Sequence, residues 1–137
     1  MNIITEIHKL VTELYTSDLM SYDKVFHWTT ITPIEVKPGF FRRTLIKGEK
    51  LTVILSEVKP GASGHPHCHP EEQVMFVLKG TCRDQEGTLY ETGTVTYIAS
   101  NKKHGGLVTV GNESSIILEL FAPPRQKDPL IAKNKDG

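Results

Sequence analysis

Residues 61–80 read Gly-Ala-Ser-Gly-His-Pro-His-Cys-His-Pro-Glu-Glu-Gln-Val-Met-Phe-Val-Leu-Lys-Gly, and half of the chain's six histidines fall between His65 and His69. On an extended backbone alternate side chains share a face, so His67 and His69 point into one space while Cys68 points away. Two imidazoles that converge in this way form a clamp for a transition metal. Pro70 then turns the chain, and Gln73, of the same parity as the two histidines, opens a strand. Glu71 and Glu72 compete with Gln73, because a one-residue shift after Pro70 would bring a carboxylate inward instead. His65 has ligand parity, but Pro66 disturbs its geometry and leaves it for the rim. Cys68 reads as a small, at least partly buried side chain facing away from the histidines, and Cys82 as strand core. The run Val74-Met75-Phe76-Val77-Leu78 is apolar on both faces, which predicts cover on both sides of its sheet.

Working outward, short β segments bounded by Gly, Pro, Asn and Asp predict strands near 40–46, 51–58, 73–79, 81–85, 94–98, 106–110 and 115–122. Lys37-Pro38-Gly39, Lys47-Gly48-Glu49, Lys59-Pro60-Gly61, Lys79-Gly80, Glu86-Gly87 and Gly111-Asn112 supply the turns between them. Closely spaced strands with no helical pattern among them indicate an all-β antiparallel sandwich or small barrel. The first twenty residues differ. Ile3, Ile4, Ile7, Leu10, Val11 and Leu14 make one apolar stripe at helical spacing, opposite Glu6, Lys9, Thr12 and Glu13. The chain therefore divides into an N-terminal helical extension (1–25), a single β domain (26–125) and a polar, lysine-rich tail (126–137). The polar face of the helix is not basic, so its stripe is expected to pack on the barrel or on a second subunit rather than on a membrane.

With 137 residues there is room for one domain with a real core. Sixteen basic side chains balance sixteen acidic ones, so no net field gathers nucleic acid or an anionic bilayer. No apolar run approaches a membrane span, and the N-terminus lacks a signal-peptide pattern. Two cysteines are too few for a disulfide framework, which points to the cytoplasm.

Two further segments carry a resemblance. Gly61-x5-His67-x-His69-x3-Gln73-x6-Gly80 matches the first cupin motif at every spacing, with Gln where Glu is frequent. Gly93-x5-Ala99-x-Asn101-x2-His104 matches the second motif in its glycine and histidine, with Ala99 for Pro, Asn101 for Gly and Val108 for Asn. Asn tolerates the positive φ that the glycine would supply. The chain thus resembles the cupins, which implies a double-stranded β-helix, the jelly-roll barrel, with His67, His69, Gln73 and His104 directed at one metal. Three imidazoles and an amide oxygen are neutral, so a divalent ion would keep its full charge as a Lewis acid. One divalent transition metal is expected, manganese first, with iron, nickel, cobalt or zinc as alternatives. Six coordination leaves two positions for substrate oxygens.

In Ile117-Leu118-Glu119-Leu120-Phe121, residues 117, 119 and 121 share a face; periodicity alone leaves that face inward or outward. One of Arg42 and Arg43 must face inward, and the sequence does not say which. Together with the histidine segment, Glu119-x-Phe121-x-Pro123-x-Arg125 is similar to the pectin-degradation-type cupins, which open unsaturated monouronates to linear keto acids. That likeness implies that Glu119, where Asp is typical, shuttles protons, that Phe121 lines the pocket and that Arg125 pairs with a substrate carboxylate. Arg42 or Arg43 is a second anion-binding candidate, Arg42 being preferred. The leading expectation is a metal-dependent isomerase or lyase acting on a small, oxygen-rich, sugar-acid-like molecule. The alternatives are an Fe(II) dioxygenase and a non-enzymatic small-molecule-binding protein. Fold analogy adds a homodimer, with no nucleic acid or membrane partner.

Overall fold

The computed structural model describes residues 2–4, 6 and 24–125. Of the amphipathic stripe expected to form a helix, Ile7, Leu10, Val11 and Leu14 lie outside them, as does the tail 126–137. A 3₁₀ turn at Trp28–Thr30 precedes nine strands: β1 (Ile34–Lys37), β2 (Phe40–Lys47), β3 (Thr52–Val58), β4 (Glu72–Lys79), β5 (Thr81–Arg83), β6 (Leu89–Tyr90), β7 (Val95–Ile98), β8 (Val108–Val110) and β9 (Ser115–Ala122). They form a six-stranded sheet of order β1-β2-β3-β9-β4-β7 and a three-stranded sheet of order β6-β5-β8, with every pair antiparallel. This is an all-β architecture, and no helix among the described residues is long and apolar enough to cross a membrane.

The chain passes from one sheet to the other at Gly80. A Cβ there would stand 2.7 Å from the Ser114 carbonyl oxygen and 2.8 Å from Ser115 Cα, and φ is +78°. Only glycine fits a corner where backbone meets backbone this closely. The core lies between the sheets: Met75 and Ile117 of the larger sheet meet Cys82 of the smaller, with Tyr90 and Leu107 at the edge of this group. A second cluster of Val36, Phe40 and Val58, flanked by Ala62, packs β1, β2 and β3 together. β9 alternates strictly, with Ser115, Ile117, Glu119 and Phe121 buried. It lies between β3 and β4, so its inner face is walled on both sides.

All seven expected strands are present, and β1 and β6 are additional. Both are short, four and two residues, and each lies at a sheet edge, paired with one neighbour. The expected 81–85 strand stops at Arg83 because Asp84 Oδ1 accepts the amides of Glu86 and Thr88, each at 2.9 Å, which bends the chain into a turn. Two burial expectations are corrected. Cys68 is exposed, since the segment that turns both histidines inward leaves its other side to solvent. β4 is not fully covered outside: Val74 and Phe76 are half-buried and Leu78 is exposed. Cover on both faces is found instead at β3, where Val53, Ile54 and Leu55 are all buried.

Candidate metal centre

An isolated antiparallel bridge brings two distant histidines together. His67 and His104 each donate their backbone N–H to the other's carbonyl at 2.8 Å. Directly opposed residues of an antiparallel pair project to one face, and the two rings lie 4.6 Å apart between centroids. His69 follows on the same face, its carbonyl accepting the Asn101 amide at 2.7 Å. Asn101 has φ +62°, the left-handed conformation expected at this position, and the turn it makes returns the chain to His104. Gln73, buried at the start of β4, completes the group.

Each imidazole is oriented by a main-chain acceptor. Nδ1 of His67 donates to the His65 carbonyl (2.8 Å), that of His69 to the Glu71 carbonyl (3.0 Å) and that of His104 to the Lys102 carbonyl (2.7 Å). A carbonyl only accepts, so Nδ1 holds the proton and Nε2 the lone pair in all three rings. The Nε2 atoms of His69 and His104 stand 3.0 Å apart, and Gln73 Oε1 is 3.1 Å from the first and 3.0 Å from the second. Three acceptors this close repel one another unless a cation stands among them. Donors at right angles around an ion, with bonds near 2.1 Å, stand about 3.0 Å apart. The three histidines each offer a nitrogen within 4.8 Å of the others. These residues fit a metal ion. Burial pushes the metal-free His67 imidazole down to about 4, against the pull of its bond to the His65 carbonyl, and the charges of His104, His69 and Arg125 act in the same direction as burial. His104 is lowered too, first by burial and also by His69 and Arg125. Neutral imidazoles are the form that binds metals.

The donors open into a cavity of about 710 Å³ that is also lined by Phe121, Arg125, Glu119 and Arg42, with His65 near its mouth. Strand register gives the depth. Gln73 opposes Phe121, Met75 opposes Glu119 and Ile117 opposes Ser56, which opposes Arg42. Glu119 therefore sits two residues, about 6.7 Å, below Phe121, and Arg42, level with Ile117, sits two residues deeper again. Glu119 faces inward and is buried; its Oε2 is 3.4 Å from Arg42 Nη2. Arg43 faces outward, toward Glu57 (4.0 Å) and the Ile31 carbonyl (2.8 Å). Arg125 lies over the Phe121 ring at 4.4 Å, and the His69 ring meets it at 5.5 Å between centroids. The rivals of Gln73 stand elsewhere: Glu72 is exposed and accepts from Tyr97 Oη, and Glu71 turns its carboxylate to the far side of the His69 ring.

The family model described as "Cupin domain" matches residues 54–121, the span that contains the whole donor set. The chain belongs to the cupin superfamily. No curated protein matches its sequence. Among solved structures, this cupin is similar to that of KdgF from a Halomonas species (23% identity, TM-score 0.68, covering 77% of this chain and 97% of that one). It is also similar to the polyketide cyclase RemF from Streptomyces resistomycificus (20%, 0.67, 85% and 94%) and to a predicted oxalate decarboxylase from Thermotoga maritima (20%, 0.63, 73% and 99%). Likenesses at these identities establish the fold, and their names span different reactions. What separates this cupin from its neighbours must therefore be read from its own cavity. That cavity holds neutral donors at the mouth, an aromatic flanked by a guanidinium, and a buried carboxylate–guanidinium pair below.

Proposed function

We propose that this cupin is a metal-dependent isomerase or lyase acting on a small, oxygen-rich, sugar-derived acid. His67, His69, Gln73 and His104 would hold the ion, with manganese as first choice. The observation that carries this reading is one cavity shared by the neutral donor set and the buried Arg42–Glu119 pair. A carboxylate on an apolar inner face, with space above it, is an arrangement suited to moving a proton. A divalent ion bound at the donors would supply a Lewis acid for two substrate oxygens.

The chain's own residues account for the rest. Arg125 offers a planar fork to the substrate carboxylate; the Phe121 ring supports it, and the bond from its amide to Thr52 Oγ1 at 3.0 Å fixes its backbone. Phe121 closes one wall and keeps water from the reacting carbons. Glu119 takes a proton from one carbon and returns it to a neighbouring one, while Arg42 holds its carboxylate in place from below. The likeness to pectin-degradation-type cupins makes unsaturated monouronates the first substrates to try.

Glu119→Gln tests the assignment. It is expected to retain metal by elemental analysis and to lose turnover by a factor of about 100 or more; an unchanged rate sinks the proton-transfer role. Turnover is expected to persist without dioxygen, and a rate that vanishes anaerobically favours a dioxygenase instead.

A further inference from the structure

Glu71 has no part in the proposed reaction, yet it is buried where a charge needs a reason. Its Oε2 lies 3.2 Å from His69 Nδ1 and, among the described residues, accepts no hydrogen bond from any donor, that N–H included. A carboxylate withdrawn from water is costly unless a donor faces it. The nearest such group is the Nδ1–H of His69, which is donated to Glu71's own carbonyl at 3.0 Å, so the carboxylate stands beside that bond as a charge and not as its acceptor. One residue thus sets a carbonyl acceptor and a carboxylate charge behind the same ring. The equivalent nitrogens of His67 and His104 meet a main-chain carbonyl at 2.8 and 2.7 Å, and among the described residues no ion pair to a carboxylate accompanies either.

We infer that Glu71 is a positioning residue that orients His69 and places a negative charge directly behind an otherwise neutral donor set. The inference rests on the metal reading above and changes its electrostatics. The ion does not act with its full double charge: an imidazole backed by a carboxylate is a stronger donor, so the ion is held more tightly and polarises substrate less. It also distinguishes the three histidines, making His69 the strongest of them.

The probe is Co(II) added to the chelator-treated full chain, its affinity read by competition with a chromophoric chelator. Glu71→Gln keeps shape and an accepting oxygen while removing charge, and Glu71→Ala removes both. Circular dichroism of each metal-free variant confirms the fold. Glu71→Ala is expected to weaken Co(II) by about 10–100-fold and Glu71→Gln by less. In proton NMR of the Co(II)-loaded Glu71→Gln chain, one of the three shifted ring N–H signals is expected to move and two to stay. Affinities within twofold of wild type, with all three signals unmoved, overturn the role of Glu71 while leaving the metal site standing. A wild-type chain that takes up no Co(II) overturns both.

Discussion

Replacing Arg42 by Met removes the guanidinium from beneath Glu119 and leaves a carboxylate on the inner face of β9. Both side chains are nearly inaccessible, 7% and 10% exposed, and their closest atoms are 3.4 Å apart. At an effective dielectric near 20 the Coulomb attraction at that distance is about 5 kcal/mol, and water has little access to replace it. Removing one partner of a buried pair costs about 3–5 kcal/mol, because the surviving buried charge loses its counter-charge. For a chain of this size that is a fall of roughly 10–20 °C in Tm. Part of the loss is packing, since the Arg42 guanidinium also lies 5.3 Å from the Phe40 ring centroid. The double variant Arg42→Met/Glu119→Gln separates the two contributions, because it removes the stranded charge and keeps the packing change. Denaturant unfolding of wild type, both singles and the double then gives the coupling directly. The double is expected to be more stable than Arg42→Met alone, with a coupling of about 2 kcal/mol or more. A coupling near zero, or an Arg42→Met chain within 1 kcal/mol of wild type, would refute the claim that this pair is a desolvated unit.

Three further outcomes follow from the geometry. Gly105→Ala would place a Cβ 2.9 Å from the His65 carbonyl oxygen and 3.1 Å from His67 Cε1 and Nδ1, at φ +96°. A loss of about 2–4 kcal/mol and weaker metal uptake are expected, and wild-type behaviour in both measurements counts against the assigned cradle. The metal-free protein should show an acid-side loss of stability. His67 titrates near 4 when folded and near 6.5 when unfolded, so its contribution is complete above about pH 6.5 and is lost as pH falls toward 4. A melting temperature that rises on acidification through that window contradicts the sign. At Asn101, φ is +62°: Asn101→Gly should be close to neutral and Asn101→Val should cost about 1–2 kcal/mol, whereas equal stability of the two variants removes the positive-φ argument.

The sequence by itself determined the local features. Period-2 parity sends His67 and His69 to one face and Cys68 to the other, because side-chain alternation depends only on an extended backbone. Turn chemistry located seven of the nine strands, and chirality marked Asn101 as the residue to stand in for glycine. Sequence spacing also joined His104 to the same centre, through motifs whose fold supplies the bridge. Tertiary structure decided what depends on distant partners. Whether the Glu119 face of β9 is inside or outside follows from the smaller sheet, whose Cys82 packs on Ile117 of that face, and the choice between Arg42 and Arg43 follows from their register with Ser56 and Leu55. A one-residue shift after Pro70 would bring a carboxylate inward, so the sequence offered Glu71 and Glu72 as rival ligands. The position of Glu71 behind His69 depends on how the chain bends after Pro70, and alternation cannot specify that bend. β1 and β6 are edge strands, and their pairing with β2 and β5 belongs to the tertiary structure.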